Sequence, residues 1–306
     1  MPETRGSWLA CSNGRQGGWV LGMGKRYIYG TSTGGLCNRL LMLAGSLRIG
    51  ELTGREFLLH WPVNDHTGCQ FEDLFSNTFE RVGEPELRRI LQTSVKVKVY
   101  NKEGEPSKPY FRALSSDGDP DIDITIVKGW DYPLLDNEQD DEVVQAAVRR
   151  MLLTLQTHSQ VTSLVANFEL PKSAVGVHVR RSDCMDVFGV SKLEYFVTLM
   201  QAVLARQPGT RFFLATDDRR TEEELKGQFG EQILVFPKTA EGRQGITAMR
   251  EALVDLLLLS RTRGIIGNVG SSYSKTAALL AGRPLVLALE RALTTDLEQS
   301  LAALTQ

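Results

Sequence analysis

No stretch of this 306-residue sequence approaches the ~20 consecutive apolar residues that a membrane-spanning helix needs. An excess of one charge is missing too: 35 basic residues against 37 acidic ones leave a formal net charge of −2. Such a balance does not advertise nucleic acid or another polyanion as a partner, so a basic residue that matters must act locally. Cysteine is scarce. Cys11, Cys37, Cys69 and Cys184 form neither a CxxC pair nor a metal-finger spacing. They read as free thiols of a reducing compartment, with one disulfide left open. Repeats of fixed period are absent, and so is low complexity beyond residue 24. Residues 1–24 hold six glycines, with apolar residues too scattered for the core of a signal peptide, and read as a disordered leader. The location expected is the cytoplasm for a bacterial protein, or the Golgi or secretory route for a eukaryotic one with an anchor missing upstream.

What is present is the material of a globular core: 42% apolar and 8% aromatic residues. The length gives room for one large or two ordinary α/β domains. Arg26–Tyr29 is a short β-prone run that leads through glycines into a helical pattern from Arg39 to Leu52. Glu56–Trp61 then reads as a buried parallel strand, completing a βαβ unit. Val95–Tyr100 and Ile122–Val127 are further candidate strands, separated by a loop rich in Pro, Gly and Asp. The acidic run 137–142 reads as a solvated helix start, with the helix itself over Val143–Leu155.

The second half spells its pattern more clearly. Strands are expected at Ala174–Val179, Arg211–Ala215, Ile233–Phe236, Gly264–Ile266 and Pro284–Ala288. Between them fall helices at Lys192–Ala205, Glu222–Phe229, Thr247–Ser260 and Ser272–Ala281. That alternation is a doubly wound parallel sheet. The division expected is an N-terminal α/β domain over 25–165, on the acceptor side, and a doubly wound C-terminal domain over 172–306 that binds the nucleotide.

Ligands of open α/β sheets bind beyond the carboxyl ends of the strands. Five polar strings stand there. The first, Gly176-Val-His-Val-Arg-Arg-Ser-Asp183, puts His178, Arg180, Arg181 and Asp183 at the end of a strand that burial would otherwise keep apolar. An arginine fork suits a pyrophosphate, while pairing of either arginine with Asp183 is the plainer use. The second, Leu214 to Asp218, offers Asp217 and Asp218 as metal ligands, as a helix cap or as support for the arginines. The third sets one carboxylate, Asp255, among leucines, where it needs a partner. A guanine ring, whose adjacent N–H groups one carboxylate accepts together, would serve, and so would a nearby arginine. The fourth, Ile266 to Lys275, brings Ser271 and Ser272 to a helix N-terminus, a ready anion site or an ordinary serine cap. It lacks the Gly-Lys-Ser/Thr of a Walker loop. The fifth is Gly34-Gly35-Leu-Cys-Asn38-Arg39, whose glycines admit close approach of backbone to a ligand and whose Asn38 can donate and accept.

His178-Val-Arg-Arg-Ser-Asp183 resembles the His-x-Arg-Arg-x-Asp motif of the α1,6-fucosyltransferases and the bacterial nodulation fucosyltransferases. Gly34-Gly-Leu-x-Asn38-Arg39 is similar to the N-terminal glycine loop of the wider superfamily, protein O-fucosyltransferases included. Ala215–Asp218, Asp255–Ser260 and Gly270–Ser272 follow in that superfamily's order and rough spacing. The resemblance covers Arg26 to Leu289. It implies a GT-B-like fold of two Rossmann-like domains facing across a cleft, GDP-fucose as donor, inversion at the anomeric carbon, and neither metal nor cofactor. It implies that Arg180 holds the β-phosphate and that His178 and Asp255 lie at the guanosine end. Ser271 and Ser272 would contact GDP, with Asn38 facing the sugar and phosphate. A glycan or protein is the acceptor expected. The chain lacks the long helical and SH3-like additions of the animal α1,6 enzymes, so their N-glycan acceptor does not carry over. The stretch after Asp183 also lacks a basic residue common in that group. Asp183, Asp186, Asp65 and His66 are the candidates for a general base, beside unassisted proton loss.

Overall fold

The computed structural model describes residues 25–93, 95–101, 114–181 and 190–305. The leader therefore lies outside the described residues, and so do Asp183, Cys184 and Asp186.

Two five-stranded parallel sheets form, one from each half of the chain. The first comprises β1 (Tyr27–Thr31), β2 (Glu56–His60), β3 (Glu80–Arg81), β4 (Val97–Asn101) and β5 (Ile124–Lys128), in the order β3-β2-β1-β5-β4. The second comprises β6 (Val175–Val179), β7 (Phe212–Thr216), β8 (Ile233–Leu234), β9 (Ile265–Gly267) and β10 (Leu285–Leu287), in the order β10-β9-β6-β7-β8. Both central strands are buried along their whole length. This explains why they read as continuous apolar runs instead of alternating ones.

The helices of the first half are α1 (Leu36–Thr53), α2 (Glu84–Leu91), α3 (Glu142–Leu152) and α4 (Ser159–Asn167). Those of the second are α5 (Leu193–Arg206), α6 (Arg219–Phe229), α7 (Ile246–Leu259), α8 (Ser272–Ala281), α9 (Glu290–Leu293) and α10 (Leu297–Thr305). From β6 to β10 the chain alternates strand and helix as the sequence pattern predicts. The pattern does not reveal the two-residue β3, nor α2, α4, α9 and α10, which are short and carry no long apolar period.

In each sheet the strand order reverses once. The chain leaves β1 for β2 on one side and returns on the other at β5, and likewise β6 is flanked by β7 and β9. The crevices at β1/β5 and β6/β9 are thus the places where such sheets accept ligands. The halves are packed together through α1, α3 and α8, and one buried apolar cluster runs from Leu40 and Leu43 of α1 to Leu253 of α7 and Ala277 of α8. No helix of the described residues is long and apolar enough to cross a membrane.

The acidic run 137–142 is only partly solvated. Asp141 caps α3, accepting from the N–H groups of Val143 and Val144. Glu138 instead turns back to Arg48, whose side chain is 3% exposed, at 2.5 and 2.8 Å, and Asp140 accepts from the Tyr132 hydroxyl.

Candidate functional site

The β6/β9 crevice is built from the residues that follow each strand. Arg180, half-buried, directly follows β6, and its backbone N–H donates to Oδ1 of the fully buried Asn268, which directly follows β9 (2.8 Å). This bond fixes the two exit loops against each other. Ser191 adds to it, accepting from the N–H of Val269 at 3.0 Å through its hydroxyl and from the Arg181 guanidinium at 2.9 Å through its carbonyl. Arg181 is further held by Asp217, which accepts from its backbone N–H (2.8 Å). Asp217 and Arg181 therefore brace the loop that presents Arg180. Asp218 caps α6, accepting from Thr221 through both N–H and hydroxyl at 2.9 and 2.6 Å. Of the uses the sequence leaves open for these aspartates, bracing and capping are the ones observed. Among the described residues no three His, Cys, Asp or Glu side chains converge as ligands of a metal would.

Ser271 stands at the N-cap position of α8 but makes no side-chain capping bond. Its hydroxyl is buried and has no hydrogen-bond partner among the described residues. The first turn of α8 holds no acidic residue. An uncapped helix end with a free hydroxyl is a concentration of donors and partial positive charge, suited to an anion. The plainer expectation of an ordinary serine cap is not met.

His178 is 6% exposed and takes part in packing. Its Nδ1 lies 2.8 Å from the Ser274 hydroxyl, and its ring stacks on Tyr273 with centroids 4.6 Å apart. Burial drives its pKa far below the usual value; Asp217 opposes the shift, while Arg180 and Lys238 add to it. The imidazole is therefore neutral and leaves the positive charge of the crevice to the arginine beside it.

Asp255 is 3% exposed. Its Oδ2 pairs with the Lys238 ammonium at 2.8 Å, and Lys238 also donates to the carbonyl of Thr216 at the end of β7 (2.8 Å). The partner within the protein is thus a lysine, where the plainer of the two uses read from the sequence was a nearby arginine. Oδ1 of Asp255 remains buried with no hydrogen-bond partner among the described residues. Burial raises the carboxyl to about 6, and Lys238 pulls it the other way. One turn earlier on α7, the buried Glu251 accepts from the N–H groups of Thr239 and Ala240 and from the Thr239 hydroxyl, at 2.6–3.0 Å. It thereby fixes the loop that carries Lys238. Lys238 had no signal beyond its own letter, but Glu251 did. A second carboxylate four residues before Asp255, on the same helix face, is the clue that was there to use.

On the opposite wall, Gly34 and Gly35 connect β1 to α1. Arg39, buried, holds this loop through three bonds: Nε to the Gly34 carbonyl (2.8 Å), and its terminal nitrogens to the Pro62 carbonyl and Asn64 Oδ1 (2.5 and 2.9 Å). A Cβ on Gly34 would lie 2.4 Å from the Asn38 amide nitrogen, so the missing side chain is what gives Asn38 its place. Among the described residues no hydrogen bond engages the half-buried Asn38 side chain. Cys37, the next residue back, is a buried free thiol raised to about 12 by burial, with Thr276 and the Arg180 charge pulling it down. The Arg180 charge is thus felt in the first turn of α1, in the other half of the chain. Lys275, in the first turn of α8, adds a direct bond across the halves to Asp131 (2.8 Å), just past β5. Asp65 and His66 are exposed, in a loop that touches residues 243–245 through Gly68 N–H to Arg243 O (2.9 Å).

No protein-family model matches the chain, and no curated protein matches it by sequence. Solved structures do match it by fold. Fucosyltransferase NodZ from Bradyrhizobium aligns over 85% of this chain and 94% of its own, with a TM-score of 0.56 and 19% identity. Arabidopsis thaliana FUT1, in a variant bound to GDP, aligns over 88% of this chain and 72% of its own, with a TM-score of 0.56 and 14% identity. POFUT1 in complex with GDP-fucose aligns over 86% and 98%, with a TM-score of 0.54 and 15% identity. The chain has the GT-B-like α/β fold of the GDP-fucose fucosyltransferases, as its motifs led one to expect.

Proposed function

We propose that the protein is an inverting glycosyltransferase that moves fucose from GDP-fucose to a hydroxyl group of a glycan or protein acceptor. The observation that carries this reading is the β6/β9 crevice. It gathers a guanidinium, an uncapped helix N-terminus with an unpartnered hydroxyl, and a buried carboxylate oxygen without a donor. These are the complements of a diphosphate and of a base bearing adjacent N–H groups. The fold shared with proteins solved with GDP or GDP-fucose supports the same assignment, although a fold alone does not fix a function. The halves 25–165 and 172–306 act as acceptor and donor domains in this reading.

Arg180 holds the β-phosphate, and the α8 N-terminus with Ser271 and Ser272 contacts the diphosphate. Oδ1 of Asp255 accepts from the guanine N–H pair. His178 backs the Arg180 strand, Arg181 and Asp217 support its loop, and Gly34, Gly35 and Asn38 approach the sugar from the other wall. Asp183 is assigned to the donor site on its motif alone. The acceptor oxygen attacks the anomeric carbon as the bond to the β-phosphate oxygen breaks, through an oxocarbenium-like transition state. GDP leaves with the bonding electron pair, and the hydroxyl proton passes to solvent or a base. Arg180 and the helix-end donors stabilise the charge that grows on GDP.

The test is release of GDP from GDP-fucose by the full chain, compared with UDP-sugars, with and without EDTA. Turnover of GDP-fucose alone, unaffected by EDTA and lost in Arg180→Ala, is the expected result. Turnover of a UDP-sugar would overturn the donor assignment. GDP binding without any release of fucose would leave a binding module in place of an enzyme.

A further inference from the structure

The carboxyl edge of the first sheet carries polar residues that the donor site does not use. Thr31, His60 and Lys128 end β1, β2 and β5, and the register sets Thr31 opposite both of the others. Side chains at paired positions leave the same face of a sheet, so these three project together. Thr31 Oγ1 and His60 Nδ1 lie 2.6 Å apart. The His60 ring stacks on Tyr29 with centroids 5.4 Å apart, and the buried Tyr29 hydroxyl has no hydrogen-bond partner among the described residues. Burial lowers the His60 pKa, Glu84 opposes the shift, and the charges of Arg39 and Lys128 add to it. His60 is therefore an uncharged imidazole within electrostatic reach of the Lys128 ammonium.

Two residues beyond Lys128, Trp130 is 49% exposed, and no ring, cation or hydrogen bond of the described residues engages it. The next residue, Asp131, accepts from Lys275 in the first turn of α8, four residues after Ser271. Trp130 thus stands at the rim of the β1/β5 crevice, next in sequence to the residue that is bonded to the first turn of α8.

We infer that this rim is the acceptor subsite and that it binds a sugar ring; the inference rests on the function proposed above. A pyranose has an apolar C–H face and a belt of hydroxyls. An exposed indole is a flat apolar platform at low entropic cost. At the ends of β5 and β2, the Lys128 ammonium donates, and the His60 nitrogen not engaged by Thr31 donates or accepts according to the tautomer, which suits the belt. The strands in question, β1, β2 and β5, are all paired on both sides, so they offer no edge to which a peptide could add as a strand.

The test probes the full chain, with GDP bound, against an array of defined neutral oligosaccharides and Ser/Thr peptides, alongside Trp130→Ala, Trp130→Phe and Lys128→Met. Wild type is expected to bind a set of oligosaccharides. Trp130→Ala should weaken that binding at least about tenfold, Trp130→Phe should restore most of it, and Lys128→Met should weaken it less. GDP affinity measured on the same samples separates the two claims. Absence of GDP binding in wild type would defeat the proposed function itself. Normal GDP binding would defeat the acceptor subsite alone in three cases: no oligosaccharide bound, peptides bound instead, or oligosaccharide binding unchanged in Trp130→Ala.

Discussion

The crevice at β6/β9 keeps polar groups unsatisfied, while the glycine loop at β1/β5 is tied down. Both are built alike. In each sheet a strand glycine admits a serine of the helix packed on it: a Cβ on Gly30 would lie 2.4 Å from the Ser46 hydroxyl, and one on Gly267 equally close to that of Ser274. In each, a helix follows whose N-terminus has neither a side-chain cap nor an acid in its first turn. By contrast α3 and α6 are capped by Asp141 and Asp218. The difference lies in what surrounds the open ends. Around the glycine loop, Arg39 spends its hydrogen bonds on loop carbonyls and Asn64. Around α8, Ser271 and Asp255 each keep a buried oxygen without a partner among the described residues, whereas the buried hydroxyls left so in the first sheet, those of Tyr29 and Thr125, sit on strands β1 and β5 and not in the glycine loop. Such oxygens cost stability in the unliganded protein, which marks the second crevice as the one shaped for a ligand's donors.

The largest expected effect breaks the donor crevice. Arg180→Ala should lower turnover by roughly 10²–10³ or more while the fold persists, measured as GDP release from GDP-fucose. Near-normal turnover with unchanged donor affinity would remove Arg180 from the mechanism.

The glycine loop supplies the next contrast. Gly34→Ala pushes against the Asn38 amide, a flexible side-chain end, so stability should change by less than about 1 kcal/mol while turnover falls about tenfold or more through the displaced Asn38. In Gly35→Ala the new Cβ meets no protein atom nearer than 3.8 Å, at a φ of −69°, so Asn38 keeps its place and turnover should fall less than in Gly34→Ala, through the approach of the methyl group to the donor alone. Equal behaviour of the two variants would show that Asn38 does not act on the sugar or phosphate.

The pH dependence sharpens the comparison inside the donor crevice. The His178 pKa is depressed, so the unfolded chain binds the extra proton below about pH 6.5 and stability falls on acidification. The Asp255 pKa is raised to about 6, so here the folded state binds the extra proton. Its contribution is full below the ordinary carboxyl pKa and is lost as pH rises through 6, a term on the order of 3 kcal/mol. The two oppose each other between about pH 4 and 6. Asp255→Asn removes one, so its melting temperature should fall more steeply than that of wild type as pH drops from 6.5 to 4. Parallel melting curves would show that Asp255 is not held in this way.

The smallest effect concerns Ser271→Ala. Deleting an unpartnered buried hydroxyl should leave stability unchanged or raise it by up to about 1 kcal/mol, and weaken GDP by at most about tenfold. A loss of stability would mean that the hydroxyl is satisfied in the free protein.

Much of this was legible in the letters. Strand–helix alternation marked the second sheet, because each buried strand is a short apolar run bounded by polar residues. Arg180 and Asp255 stood out because their charge interrupts such runs. Lys238 and Glu251 did not stand out, and Arg39 and Lys275 entered only as the last letters of their strings with no role of their own, since each lies in a polar or amphipathic stretch where charge is unremarkable. Their roles depend on partners 5 to 144 residues away, which no local pattern encodes. Asp217 shows the reverse: a conspicuous Asp-Asp pair whose members turn out to brace a loop and cap a helix.

Calorimetric titration of the full chain with GDP and with UDP, repeated on Asp255→Asn, tests the central claim that the β6/β9 crevice is a guanine nucleotide site. GDP should bind at least about tenfold more tightly than UDP, and the substitution should erase that preference. Equal affinity for the two nucleotides in wild type, or a preference that survives in Asp255→Asn, would contradict it.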